Sequence, residues 1–219
     1  MKNRRSASVT RSIPSTADIS EQTKRLFENA GNDIKPIRLK NVNEVTKEIE
    51  YLESNIAEGI DWNDQVTAMQ RGMGLINGGV LEYDIFIRGL NRIYHGLVAA
   101  ATNLRSALVK QSCLFIAQLS RETGPSIDLI GDFITPLSSQ LSHGTQIIAE
   151  SCKLAILCIA KNCYTRKVLK SIFDLCSSRG AAVKTVAAEA LSLVLLYWPS
   201  DLLNQNLVQI ESFLQKLLS

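Results

Sequence analysis

From Trp62 to the last residues, helix-length apolar segments recur in pairs about every 40 residues, and this recurrence restricts the fold more than any single motif. The pairs open near Trp62, Leu104, Thr145 and Ala181, at offsets of about 42, 41 and 36 residues. Breaks fall at Asn77-Gly78-Gly79, Thr123-Gly124-Pro125, Ser142-His143-Gly144, Arg179-Gly180 and Pro199, where turn chemistry interrupts helical periodicity. The spacing predicts helices over 62–77, 83–101, 104–122, 126–142, 145–162, 165–178, 181–197 and 200–218. Strand-like alternation is absent, so the chain reads as all-α. The segments 108–120, 147–162 and 183–198 resemble one another: each opens with small or polar residues and then turns aliphatic on all sides, the pattern of a helix buried between two neighbours. A helix pair of this length cannot bury its apolar face alone, and stacking supplies the core. A HEAT-type α-solenoid of about four helical pairs plus an N-terminal helix follows.

That N-terminal helix is read from Val45, Ile49, Leu52 and Ile56, spaced three or four residues apart over 44–57. Asn43 with Thr46, or Asn41 just upstream, is its expected cap. Residues 1–35 are polar and rich in Ser, Thr, Asn and Arg, and are expected to form a disordered basic tail apart from a short helix over Ser20–Ala30. The repeat domain is therefore placed at 36–219. Ser6, Ser8 and Ser12 stand near Arg4, Arg5 and Arg11, which would suit a basophilic kinase, although an ordinary solvated tail has the same composition.

Of the 219 residues 46% are hydrophobic and 21% charged, enough apolar material for one sizeable core. The net charge of +3 favours an acidic protein surface and is too small to argue for nucleic acid. No apolar run reaches the roughly 18 residues of a membrane span, and a cytoplasmic location is expected. Cys113, Cys152, Cys158, Cys163 and Cys176 are odd in number and lack metal-ligand spacing, so they read as reduced core thiols. No nucleophile elbow or His–carboxylate pair is present; neither an enzyme nor a cofactor is expected. Gly72-Met73-Gly74 with Gly78-Gly79 follows no strand and reads as a loose helix end rather than a dinucleotide loop. Phe115, Phe133, Phe173 and Phe213 occur once per repeat region as a core stripe.

A family resemblance lies on top of this pattern. Asp61-Trp62 with Val66 and Ala68, Glu82-Tyr83-Asp84 with Phe86, and Leu104-Arg105-Ser106 begin the matched set. Val109, Cys113, Ala117-Gln118-Leu119-Ser120, Val183-Lys184, Glu189, Leu191 and Trp198 continue it, in order and almost without gaps. The stretch from Asp61 to Trp198 resembles the TOG domains of the cytoplasmic linker-associated proteins (CLASP), in the class of their second TOG. The resemblance implies a TOG-like paddle of HEAT pairs that binds αβ-tubulin along its intra-repeat loops and regulates microtubule dynamics, with no catalysis.

Carried onto this chain, it implies that the tubulin contact runs through Trp62 in the first loop, Asn103, Arg105 and Lys110 at the second, and Arg179 and Lys184 at the fourth. Trp62 offers a large contact area at small entropic cost, although the same indole would serve to close the end of the core. Arg105 and Lys110 stand near a helix N-terminus, where a cation opposes the macrodipole, which favours a partner-facing role over an ordinary solvated face. The third loop, around His143, lacks the basic residue of the family pattern, and Thr185 and Val186 thin the fourth. A TOG domain has about six pairs, whereas about four are readable here, so contact through the first loops is expected to be favoured. The alternative expectation is a scaffold that uses this surface for a non-tubulin partner at a cilium, centrosome or kinetochore. A monomer without membrane or nucleic-acid contact is expected in either case.

Overall fold

The computed structural model describes residues 16–218, with side-chain surroundings over 21–215. Expectations for Ser6, Ser8 and Ser12 lie outside the described residues. The helices are α1 (Thr16–Glu28), α2 (Val42–Ile56), α3 (Trp62–Asn77), α4 (Asp84–Ala101), α5 (Ser106–Thr123), α6 (Ile134–Ser138), α7 (Gln146–Asn162), α8 (Arg166–Cys176), α9 (Ala181–Tyr197), α10 (Ser200–Gln205) and α11 (Leu207–Leu218). Short 3-10 turns occupy Val80–Glu82, Gly124–Ser126 and Asp128–Phe133. No strand occurs among the described residues, and the all-α solenoid stands.

The helices stack in two layers. One contains α3, α5, α7 and α9; the other contains α2, α4, the 3-10 turn with α6, α8 and α11. Across the layers the close partners are α2 with α3, α4 with α5, α6 with α7 and α8 with α9. The pairing therefore starts one helix earlier than the sequence periodicity suggested, because α2 stacks on α4 rather than standing apart. Asn41 is its cap: its Oδ1 accepts the Glu44 backbone N–H at 3.0 Å. Thr46 instead bonds back to the carbonyl of Val42.

Helix α5 buries every side of its middle turns, including Cys113, Phe115 and Ile116, and α7 buries Cys152, Ala155 and Ile156 while Lys153, Leu157 and Cys158 stay partly exposed. Close packing there leaves no room for larger residues: a Cβ on Gly72 would lie 2.7 Å from the Phe115 ring.

The sequence pattern anticipated one helix over 126–142, and the structure breaks it. Pro136 lacks the N–H that would bond to the carbonyl of Asp132, and that oxygen accepts the Tyr94 hydroxyl at 3.3 Å instead. The chain there runs as a 3-10 turn followed by the short α6. The single helix expected over 200–218 is likewise divided at Asn206, whose amide bonds to the Leu202 carbonyl at 2.7 Å.

In the segment read as a tail, the short helix expected over Ser20–Ala30 is present as α1, and it docks on the repeat layers. Helix α1 crosses α5 and α7 on the outer side of their layer, with Phe27 and Ala30 buried. Arg121 donates to the carbonyls of Glu28 and Ala30, and the Asn77 amide donates to those of Gly31 and Ile34. Farther on, the Ile37 N–H bonds to the Gly74 carbonyl at 2.8 Å. The glycine run in α3 now has a reason: a Cβ on Gly78 would lie 1.9 Å from the Ile37 oxygen, so only glycine lets this strap cross so closely.

Candidate functional site

Because α3, α5, α7 and α9 share a layer and each follows its closely packed partner, the four connecting turns lie along one edge. These turns are residues 57–61, 102–105, 139–145 and 177–180. Asn103, Arg105 and Arg179 lie on these turns, Trp62 directly follows the first, and Lys110 and Lys184 lie in the opening turns of α5 and α9.

The first turn is shaped from both ends. Gly59 has φ +89°, a left-handed conformation natural to glycine, and open space surrounds it. Asp61 caps α3, its Oδ1 accepting the Asn63 N–H at 2.9 Å. Beneath the turn, the buried Gln65 donates from Nε2 to the Ala57 carbonyl at 2.7 Å and so ties α3 to the end of α2. Trp62, the first residue of α3, is left half-buried with its ring against the core edge.

The second turn approaches it directly. Asn103 Oδ1 accepts the Arg105 N–H at 2.9 Å, a local turn that sets the direction in which α5 begins. The Arg105 guanidinium then lies 4.7 Å from the centroid of the Trp62 ring, a cation–π contact between two different helix pairs. From below, Ser112 fixes α5 to α4 by donating to the Leu97 carbonyl at 2.9 Å. Trp62, Asn103 and Arg105 line one open recess of about 330 Å³, together with Glu58, Asp61 and Gln65.

The remaining expected residues are not in this recess. Lys110 is half-buried, one turn farther into α5, while Arg179 and Lys184 are exposed at the fourth turn, beyond α7. Among the described residues no carboxylate lies within ion-pair distance of Arg105, Lys110, Arg179 or Lys184. At the third turn His143 is used locally: its Nδ1 accepts the Thr145 N–H at 3.0 Å.

Gln65 and Glu58 escaped the sequence reading, and Leu104 entered it only as part of the second repeat's opening and of the matched stretch Leu104-Arg105-Ser106. Leu104 is 84% exposed between Asn103 and Arg105. No sequence signal marks this exposure, since a leucine just before a helix cap normally packs onto the helix as a staple.

Among the described residues no group of three or more His, Cys, Asp and Glu side chains is placed to hold a metal ion, and no helix is long and apolar enough to cross a membrane. Burial raises the thiols, Cys158 to about 11 and Cys163 to about 12. Trp198, the other tryptophan, is buried and donates from Nε1 to the Ala160 carbonyl at 2.7 Å, a core role unlike that of Trp62.

Residues 43–219 match the family model described as CLASP N terminal. The CLIP-associated protein of Arabidopsis thaliana is 29% identical over 168 residues, which is 76% of this chain and 12% of that protein. CLIP-associating protein 1-B of Xenopus laevis is 26% identical over 157 residues, 71% of this chain and 11% of its own length. Protein STU1 of Gibberella zeae is 27% identical over 140 residues, 62% of this chain and 12% of that protein. The chain thus spans about an eighth or less of the length of these relatives. Among solved structures, a designed armadillo repeat protein aligns with a TM-score of 0.46 at 16% identity, over 93% of this chain and 87% of that one.

Proposed function

This chain belongs to the CLASP N-terminal family, and from that premise we propose that it binds αβ-tubulin along the edge formed by its four turns and thereby regulates microtubule dynamics. The observation that carries the reading is the Arg105 guanidinium stacked over Trp62 at 4.7 Å, in a recess open to solvent. A half-buried indole with one face held by a cation is rigid before a partner arrives, so little conformational entropy remains to be lost on contact. The cations farther along are equally suggestive. Arg179 and Lys184 flank the start of α9, where positive charge is unfavourable for the helix and no neighbouring carboxylate compensates it. An acidic protein surface supplies that compensation, as tubulin would.

The edge is built from exposed turns on a rigid two-layer scaffold, which suits a recognition surface and leaves the core free of functional demands. Binding of this kind weakens as salt rises, because the distal cations act through solvent.

Co-sedimentation with stabilised microtubules tests the reading. The wild-type chain is expected to pellet with them at low salt, and the pelleted fraction is expected to fall for Arg179→Glu combined with Lys184→Glu. Failure of the wild-type chain to pellet with microtubules or to bind free tubulin would sink the proposal. Its retention on some other protein would then favour a scaffold role.

A further inference from the structure

A row of cations is only part of what this edge presents. Around the first turn the exposed charges are acidic: Glu58 and Asp61 line the recess with Trp62, and Asp64 follows in the first turn of α3. The nearest cation, Arg105, is already engaged on the indole. The next feature along the edge is apolar. Leu104 is 84% exposed at the second turn, Ile147 is 54% exposed at the start of α7, and Ile60 is 37% exposed on the first turn. Only at the fourth turn do exposed cations stand alone, as Arg179 and Lys184.

Leu104 has no role in the fold that would explain it. It occupies the position from which a hydrophobic staple would pack on Val109, yet it stays 84% exposed. Single exposed apolar residues are ordinary, but here large ones recur at successive turns on the same edge as the Trp62 recess.

We infer that the edge is chemically graded, and that its grading fixes the direction in which a partner docks. The complementary surface offers a cation opposite Glu58 and Asp64, apolar recesses for Leu104 and Ile147, and carboxylates opposite Arg179 and Lys184. The inference rests on the tubulin-binding reading of the same edge and adds to it the determinants Glu58 and Leu104. A rotated docking would set acid against acid at one end and cation against cation at the other, so the grading excludes it.

The test is an equilibrium titration of the full chain with αβ-tubulin over a range of salt. It compares the wild type with Leu104→Asp, Glu58→Lys and Lys184→Glu. Leu104→Asp is expected to weaken binding about tenfold at every salt concentration, since a desolvated apolar contact is not screened. Lys184→Glu is expected to weaken binding at low salt and to converge on the wild type at high salt. Glu58→Lys separates the two pictures. A graded edge predicts weaker binding by about threefold, whereas a uniformly cationic edge on an acidic partner predicts tighter binding.

All three positions are at the surface, so thermal melts should match the wild type; if Leu104→Asp melts low, Leu104→Ser replaces it. Tighter or unchanged binding by Glu58→Lys overturns the grading, as does an unchanged affinity for the leucine variant. Absence of binding by the wild type is a separate result, seen before any variant is read, and removes the underlying tubulin reading as well.

Discussion

Gln65 is buried although its neighbours Asp61, Asn63 and Asp64 are exposed, and its amide nitrogen reaches the last carbonyl region of α2. The Trp62 recess therefore rests on a part-buried hydrogen bond from a buried side chain. Gln65→Ala removes this bond from the Ala57 carbonyl, leaving it only the long one from the Ile60 N–H at 3.4 Å, and costs about 1 kcal/mol. We expect the midpoint of urea unfolding to fall, and tubulin affinity to fall with it because the first turn loosens. Gln65→Glu is expected to be at least as damaging, since it puts a carboxylate beside a carbonyl. An unchanged midpoint would remove Gln65 from the account.

At this scale the sequence was legible where residue type and turn position together carried the information. Trp62, Asn103 and Arg105 do meet around one recess. Gln65 was invisible because a helical glutamine on an amphipathic face has no sequence mark of burial. The contact of Arg105 with Trp62 was invisible because it depends on the stagger of two helix pairs, which local spacing does not encode.

Among the elements, α1 and the strap behind it show how a short polar helix becomes part of a repeat domain. The helix is only 13 residues long, and helices of that length are marginal alone in water. Its docking depends on Phe27 and on the side chains of Asn77 and Arg121, which satisfy backbone carbonyls between Glu28 and Ile34. Gly78 makes the crossing possible. Its φ of −81° is open to any residue, so Gly78→Ala would be neutral or favourable for the helix itself. The whole cost is therefore steric, a methyl carbon 1.9 Å from the Ile37 oxygen.

We expect Gly78→Ala to displace the strap, to destabilise the fold by about 1–3 kcal/mol and to open residues 28–40 to limited proteolysis. Wild-type resistance in that segment for the variant would contradict the role given to this glycine. Periodicity could not find the strap, because one buried aromatic in a polar run makes no pattern. It also missed Pro136 as a helix breaker, since the apolar spacing continues across it while the missing N–H interrupts the backbone ladder.

For the molecule as a whole, the stacking that gives the edge its rigidity also buries thiols. The Cys158 thiol is pushed up to about 11 and that of Cys163 to about 12, against an ordinary value of 9.0, chiefly by burial. Above about pH 9 the unfolded chain releases these protons while the folded chain keeps them. The unfolded state then binds fewer protons, and stability falls as pH rises toward 11 to 12. The slope is about 1.4 kcal/mol per pH unit for each thiol, and it vanishes below pH 9. The thiols therefore add no pH dependence below pH 9, and melting temperatures should decline above it, with a shallower decline for Cys163→Ala. An equally steep decline for that variant would point to other groups.

The central claim concerns the edge, and it meets its most direct test in sedimentation of the chain with unpolymerised αβ-tubulin at low salt. The wild type is expected to sediment in a complex. Trp62→Ala combined with Arg105→Glu, if its melt still shows a folded chain, is expected to sediment as free protein beside free tubulin. If that folded double variant joins tubulin as fully as the wild type does, the edge centred on Trp62 is not the binding surface.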